Sequence, residues 1–274
     1  MNNTHPIVSV VLPVFNQRPE YLRRSLESIL TQSLQNFELL IIDDGSTDTK
    51  CLSILEELSL KESRIRIIRN KPNKGIIRSL NRGLEEARGK YIARMDSDDI
   101  AFPDRLQKQV DFFEKNPDID LVGTWVTIID MDGRKIGALH PPTDPEFLKR
   151  NILKRNFFIH PTWMFRPSLI SRIGHYREDA HSVEDYDFLL RTAKKGKIAN
   201  MPETLLSYRF NENGISFKKN KEQEWNTILL RMRAIFTYGY PKWQMVFLVQ
   251  PMFLFLFLPW SLKRFLLKYF FKSV

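Results

Sequence analysis

The sequence predicts an α/β fold: a mainly parallel sheet covered by helices on both faces, with an apolar helical tail behind it. Three observations predict it. Short apolar runs alternate with amphipathic stretches through the first half of the chain. The runs are apolar throughout rather than at every second residue, as in strands buried on both faces. Their carboxyl ends carry the polar motifs PVFN, DDGSTD and MDSDD.

The elements follow in order. Residues 8–12 (VSVVL) form the first strand. Pro19 opens a helix in which Leu22, Leu26, Ile29 and Leu30 make an apolar stripe. Residues 37–43 (FELLIID) are the second strand, and Ser46 or Thr47 is suited to cap the next helix. Cys51 reads as a half-buried residue of that helix. Residues 65–69 (IRIIR) are the third strand. A helix with Ile77, Leu80, Leu84 and Ala87 on one face follows, and Gly89 suits its C-terminal stop. Residues 91–95 (YIARM) are the fourth strand. Pro103 opens a helix with Leu106, Val110 and Phe113 inward, for which Asp99 is a candidate cap. LVGTWVTIIDMDGRKIGAL predicts a hairpin turning at Asp132-Gly133. Residues 160–166 (HPTWMFR) read as another strand, and residues 183–196 as a helix ending near Gly196. In such sheets ligands bind beyond the carboxyl ends of the strands, so the three polar motifs form one shared pocket.

Composition narrows the function. The chain has 274 residues, 43% of them hydrophobic, enough for one large domain or a domain with an appendage. A single cysteine excludes an intrachain disulfide and indicates no cysteine-based zinc site. The N-terminus lacks a basic region followed by a long apolar stretch, so a cytoplasmic protein is expected. The net charge of +10 suits nucleic acid, a membrane surface or an anionic substrate. No zinc-finger spacing or aromatic RNA-binding signature is present, so no nucleic-acid partner is expected. There is no GxxxxGK[ST], and no GxGxxG follows the first strand.

Asp96, Asp98 and Asp99 crowd the end of the fourth strand. Packed carboxylates repel one another unless they are solvated, cap a helix or hold a divalent cation. Their place beside the other polar motifs favours the cation. Magnesium and manganese take a few carboxylates plus phosphate oxygens and water, which makes a nucleoside diphosphate a natural partner. A second acidic site, SVEDYDFLLR, places Glu184, Asp185 and Asp187 before an apolar helical stretch. They either complement a helix N-terminus or include a general base.

Taken together, SVVLPVFN, ELLIIDDGSTD, NKGIIRSLNRGLEEARGKYIARMDSDDIAFPDRL, HPTWMFR and VEDYDFLLR resemble the family-2 inverting glycosyltransferases of GT-A fold, in order and spacing, over residues 7–216. The resemblance implies an activated nucleotide-sugar donor, with uridine diphosphate the favoured carrier, and transfer to a hydroxyl of a saccharide acceptor with inversion. It implies that Pro13, Phe15 and Asn16 line the nucleotide pocket, and that Asp44 faces the base with Asp43 in support. It sets Lys74, Asn81 and Arg82 near the nucleotide. Asp96 and Asp98 become the manganese or magnesium motif, with Asp98 the direct ligand, and Asp185 the catalytic base. Glu184 and Asp187 become donor-sugar or acceptor contacts, with Asp187 a second candidate base. Where many relatives carry YRxHxxSxS, this chain has YRFNENGIS, so Asn211 replaces the histidine, and either the contact is weakened or Arg209 takes it over. His160 is a possible substrate contact. Two other readings compete: a nucleotidyltransferase, and a non-catalytic sugar-nucleotide or lipid-binding protein.

The expected division is a catalytic domain over residues 1–216 and a C-terminal membrane-associating segment over residues 217–274. Residues 243–260 (WQMVFLVQPMFLFLFLPW) are nearly all apolar but interrupted by Gln244, Gln250, Pro251 and Pro259. Lys263, Arg264, Lys268 and Lys272 follow with no acid. A span needs about 17–25 apolar residues, and this one would put its basic end across the membrane, against the positive-inside tendency. The tail is therefore expected to lie in the interface, with the enzyme peripheral on the inner face of the cytoplasmic membrane. A lipid-linked saccharide acceptor in surface polysaccharide or lipopolysaccharide biosynthesis would suit that position. The alternative is a tail packed on the catalytic domain or in a dimer contact.

Overall fold

The structure, a computed structural model, describes residues 5–211, 220–247 and 259. It opens with β1 (Val8–Val14), α1 (Pro19–Leu30), β2 (Phe37–Asp43), α2 (Thr49–Lys61), β3 (Ile65–Arg69), α3 (Ile76–Glu86) and β4 (Tyr91–Arg94). These pair in parallel in the order β3-β2-β1-β4. The chain continues through β5 (Ile100–Ala101), α4 (Arg105–Lys115), β6 (Leu121–Ile129), β7 (Lys135–Leu139) and α5 (Pro145–Asn151). Then come β8 (Met164–Phe165), α6 (Ser168–Ile173), α7 (Glu184–Lys195), β9 (Ile198–Arg209) and α8 (Asn220–Phe236). Among the described residues the sheet runs β3-β2-β1-β4-β8-β6-β9-β5, with β7 on β6. The pairings of β8, and of β5 with β9, are antiparallel, while β6 and β9 are parallel, so the sheet is mixed.

Side chains alternate across each strand, and so divide two cores. Val10, Leu12, Leu39 and Ile41 join Leu22, Leu26 and Ile29 of α1, Leu55 of α2 and Phe113 of α4. Val11, Leu40 and Ile42 join Ile77, Leu80 and Leu84 of α3 and Phe188 of α7 on the opposite face. Both faces of β1 and β2 are buried, as their unbroken apolar runs predict. Met164, at the register of Ala93, continues the first core past β4.

Several local expectations are corrected. Asp48, not Ser46 or Thr47, caps α2 by accepting from the Cys51 N–H at 2.7 Å. Cys51 is fully buried. Ala87 ends α3, and Gly89 serves a close approach instead. A Cβ there would stand 2.5 Å from the backbone nitrogen of Ser9. Asp104, not Asp99, occupies the N-cap position of α4. Residues 160–166 are a 3₁₀ turn (His160–Thr162) followed by the two-residue β8. The hairpin does turn at Gly133, whose φ of 85° is the left-handed conformation glycine adopts without cost.

The beginning of the expected C-terminal segment packs on the catalytic core. Leu230, Ala234 and Ile235 of α8 join the core that holds Phe188. The Tyr240 hydroxyl donates to the Leu190 carbonyl at 2.8 Å. No helix among the described residues is long and apolar enough to cross a membrane. Most of the apolar tail, from residue 248 on, lies outside the described residues.

Candidate active site

The parity of β2 sends Asp43 and Asp44 to opposite faces. Asp44 lies on the α3 side. Its carboxylate accepts from Asn70 Nδ2 at 2.8 Å, the Lys74 N–H at 2.9 Å and the Gly75 N–H at 2.8 Å. Both oxygens are thus consumed in fixing the loop that starts α3. Asp43 accepts from the Ser46 N–H at 3.0 Å and lies 3.5 Å from Arg69 Nε. Asp43, rather than Asp44, lines a cleft of about 610 Å³ together with Phe15, Ser46, Arg69 and Asn73. Phe15 is 52% exposed at its edge. Pro13 is buried within β1. Asn16 works as a brace: its Oδ1 accepts from the Thr47 and Asp48 N–H groups at 2.7 and 2.9 Å. Gln17 continues the bridge by donating to Ser97 Oγ at 3.1 Å, which ties the first loop to the aspartate cluster.

That cluster is built around Arg94, a buried cation on β4. Its guanidinium meets Asp96 through two bonds of 2.7 and 2.5 Å. Burial works against the charge of Arg94, but Asp96 overrides it and keeps the guanidinium above its usual pKa. Burial, together with Asp96, pushes Asp98 up to about 6. Asp99 is 1% exposed, and burial with the charges of Asp96 and Asp98 lifts it well above the usual range. Its Oδ1 accepts from the Arg209 N–H at 2.8 Å, while its buried Oδ2 has no hydrogen-bond partner. Arg209 holds the loop from behind. Its guanidinium donates to the carbonyls of Asp98 and Asp130 at 2.9 and 2.8 Å and lies 4.3 Å from the centre of the Tyr21 ring.

The third component is the N-terminus of α7. Burial and the adjoining Asp185 push Glu184 up to about 7. Asp185 is also raised by burial, but its Oδ1 accepts from the Tyr186 N–H at 2.7 Å and its Oδ2 from Asn156 Nδ2 at 3.2 Å. Those donors favour its ionised form. The charge of Asp96 contributes to the rise of both Glu184 and Asp185, and that of Arg94 opposes it, so the two acidic sites share one electrostatic field. Glu184 also lines a second cleft, of about 380 Å³, with Lys74, Arg78, His181 and Ser182. Strands β2, β1 and β4 are parallel neighbours, so their carboxyl ends and the segments that follow, with Asp43, Gln17 and Asp96, lie on one side of the sheet.

The decisive comparison is with known families. The sequence model of "Glycosyl transferase family 2" matches residues 9–174. The chain belongs to that family. It is 36% identical over 228 residues to an uncharacterized glycosyltransferase of Methanocaldococcus jannaschii, covering 81% of this chain and 78% of that one. It is 29% identical over 252 residues to the amylovoran biosynthesis glycosyltransferase AmsE of Erwinia amylovora, covering 89% and 92%. Its fold matches that of S. aureus TarS 1-349, solved in complex with UDP-GlcNAc, with a TM-score of 0.68, 20% identity, and 91% and 71% of the two chains covered. It also matches the mannosyltransferase PcManGT from Pyrobaculum calidifontis, solved with GDP-Man and Mn2+, with a TM-score of 0.68, 18% identity, and 95% and 73% covered. The fold of this family-2 glycosyltransferase is thus GT-A.

Several residues expected at its site are placed elsewhere or differently engaged. Asp187 is fully buried in an ion pair, with Arg191 Nε and the Tyr238 hydroxyl donating to it at 2.8 and 2.5 Å. Asn81 clasps the backbone of Tyr176 through both its amide atoms, at 2.8 and 2.9 Å. Arg82 donates to Asn70 Oδ1 and to the Arg69 carbonyl. Asn81 thus ties α3 to the segment before α7, and Arg82 ties it to the end of β3. His160 pairs with the Tyr176 hydroxyl at 2.9 Å, and burial with the nearby Arg94 charge holds its imidazole well below the usual pKa. Arg209 spends its donors on backbone carbonyls and so positions Asp98. Sequence reasoning missed Arg94, Gln17 and Asn156. For Arg94 a signal existed: a charge inside the apolar run YIARM.

Among the described residues no group of three or more His, Cys, Asp and Glu is assembled as a cation site. Asp96 and Asp98 still fit magnesium or manganese, which needs one or two protein carboxylates and takes its remaining oxygens from phosphate and water. The buried Oδ2 of Asp99 beside them is an acceptor that the protein's own donors leave unused.

Proposed function

We propose that this protein is an inverting, metal-dependent glycosyltransferase that moves a sugar from a UDP-sugar to a hydroxyl of a lipid-linked saccharide in surface polysaccharide or lipopolysaccharide biosynthesis. The observation that carries the reading is membership of glycosyltransferase family 2 over residues 9–174, with Asp96 and Asp98 following β4 and Glu184 and Asp185 opening α7. The Phe15–Asp43 cleft receives the nucleoside. Phe15 offers an exposed ring for the base, and Asp43 offers acceptors for ribose or ring donors.

Asp98 holds a divalent cation directly, because Asp96 is already engaged by Arg94. The bound cation would neutralise charge developing on the departing diphosphate. Asp185 takes the proton of the acceptor hydroxyl as that oxygen attacks the anomeric carbon from the face opposite the diphosphate. Asn156 and the Tyr186 N–H orient its carboxylate. Glu184 and Lys74 line the adjoining cleft and contact the donor sugar or the acceptor. Family membership, with a carboxylate raised for base chemistry at Asp185, favours transfer over the nucleotidyltransferase and binding-only alternatives. The name of AmsE and the UDP-GlcNAc complex of TarS support the polysaccharide setting and the uridine carrier. The apolar, basic tail supports a site of action on the inner face of the cytoplasmic membrane.

The test is turnover of a panel of nucleotide sugars with lipid-linked saccharides, read by mass spectrometry and by the anomeric coupling constant of the product. Transfer with inversion supports the reading. Transfer with retention, or release of pyrophosphate from a nucleoside triphosphate, would overturn it.

A further inference from the structure

Arg105, the first residue of α4, is wholly buried, as is Gln109 one turn further on. A guanidinium out of water is costly, and an apolar side chain of similar size would fill the space without that cost. Nor does α4 need Arg105 as an anchor. Leu106, Val110 and Phe113 bury the helix in the first core, and Gln32 Oε1 accepts from the Leu106 N–H at 2.9 Å. Burial pulls Arg105 down to about 10, with the charge of Asp99 acting the other way, so it is a cation at neutral pH. Its bonds go to neutral acceptors rather than to a carboxylate. Nη2 donates to the Arg94 carbonyl at 2.7 Å and Nε to Gln109 Oε1 at 3.2 Å.

Those acceptors show what the guanidinium fork does. Arg94 ends β4 and Arg105 begins α4, so the bond between them joins the two ends of the loop 95–104, which carries Asp96, Asp98 and Asp99. The Arg94 peptide is gripped from both sides, since its N–H donates to the Trp163 carbonyl at 2.8 Å. Gln109 Nε2 donates to the carbonyl of the neighbouring Thr162 at 2.8 Å. Arg94, Arg105, Gln109 and the backbone of Thr162 and Trp163 therefore close a ring of bonds at the neck of the loop.

We propose that Arg105, oriented by Gln109, is a positioning residue that closes the neck of the aspartate loop and so fixes where Asp98 stands. The far limb of the loop is held separately, by the pairing of β5 with β9 and by the bond from Arg209 to the Asp98 carbonyl. The gripped Arg94 peptide also carries the guanidinium that engages Asp96. Both ends of the loop and one of its carboxylates are thus set from the neck. The fork is needed, and not the charge alone, because an ammonium is a point donor that cannot hold the Arg94 carbonyl and Gln109 in two fixed directions. The consequence for metal affinity rests on the proposed role of Asp98 as a cation ligand, whereas the neck itself is measured without cation.

The test compares wild type, Arg105→Lys and Gln109→Leu with Leu55→Ala, a destabilising core change on α2, which packs against α1 and β3. Hydrogen exchange of the cation-free proteins reads the neck. Peptides from residues 95–104 are expected to exchange about tenfold faster in Arg105→Lys and Gln109→Leu than in wild type or Leu55→Ala. Electron paramagnetic resonance of manganese with saturating UDP reads the consequence. Affinity for manganese should fall about tenfold or more in the two neck variants and keep its wild-type value in Leu55→Ala. Should Arg105→Lys not fold, Gln109→Leu carries the same expectations. Wild-type exchange over residues 95–104, or wild-type manganese affinity, in the neck variants would overturn the inference. So would equal losses in Leu55→Ala, because Arg105 would then act through stability alone. A wild-type protein that takes up no manganese would overturn the cation reading of Asp98 instead, and exchange would still decide the neck.

Discussion

Asp44→Ala separates a scaffold residue from a ligand contact. The wild-type carboxylate is almost wholly buried and accepts three hydrogen bonds, from Asn70 Nδ2 and from the N–H groups of Lys74 and Gly75. Removing it leaves the Lys74 N–H without its acceptor, while Asn70 Nδ2 keeps Ser79 Oγ at 3.0 Å and the Gly75 N–H keeps Asn73 Oδ1 at 3.1 Å. An unsatisfied donor costs about 1–3 kcal/mol, and coupled losses in one cluster are not additive. The expected destabilisation is therefore about 1–3 kcal/mol. For a chain of this size each kcal/mol lowers the melting temperature by roughly 2–4 °C, so a fall of roughly 2–10 °C is expected. Asp44→Asn retains one carbonyl acceptor and should fall between wild type and Ala. The control is Asp43→Asn, which keeps the shape of a side chain lining the Phe15 cleft. It should weaken nucleotide binding with a much smaller change in melting. The assays are urea denaturation and calorimetric nucleotide titration on the same preparations. An Asp44→Ala protein that melts like wild type yet loses nucleotide binding would refute the reasoning and restore Asp44 to the base pocket.

Asp187→Asn should destabilise by about 3–5 kcal/mol, because it leaves the buried Arg191 guanidinium without its charged partner; a wild-type unfolding midpoint would count against the structural role. Asp185→Asn should lower transfer by about 10²–10⁴-fold with donor affinity intact, read by steady-state kinetics beside donor titration. Glu184 is raised to about 7, so the cation-free native state keeps a proton there that the unfolded chain releases near its ordinary value of 4.5. Stability should therefore fall as pH rises from about 4.5 to 7, by on the order of 3 kcal/mol, and level off above. Asp98 acts in the same sense up to about pH 6. A melting temperature that rises over this window without added cation would contradict the assignment.

The parallel strands were legible because apolar runs buried on both faces have few other folds open to them. The runs at 37–43 and 65–69 coincide with β2 and β3 residue for residue. That PVFN, DDGSTD and MDSDD follow strands ending on one side was legible too, since β1, β2 and β4 are parallel. Individual side chains were harder. Asp43 and Asp44 are adjacent and identical, and only the two-residue period, carried from Ile41 and Ile42, shows that Asp44 must face α3. Asp187 differs from Asp185 by two residues on a helix, which turns it inward; Arg191 four residues on was the available sign of an internal pair. Caps were misplaced because Ser46, Thr47 and Asp48 are all competent, and loop geometry chooses among them. Asn156 had no sequence signal: it reaches Asp185 from 29 positions away, through contacts that no local pattern encodes. The brace from Gln17 to Ser97 spans 80 positions and was equally hidden.

The central claim is that the aspartate cluster holds a cation against a donor diphosphate. Its most direct test is calorimetric titration of the purified protein with UDP, GDP and dTDP, with and without manganese, for wild type and Asp98→Ala. Binding of one nucleotide that requires manganese and disappears in Asp98→Ala is the predicted result, with UDP the nucleotide bound. Absence of nucleotide binding, or binding indifferent to both manganese and Asp98, would contradict the account.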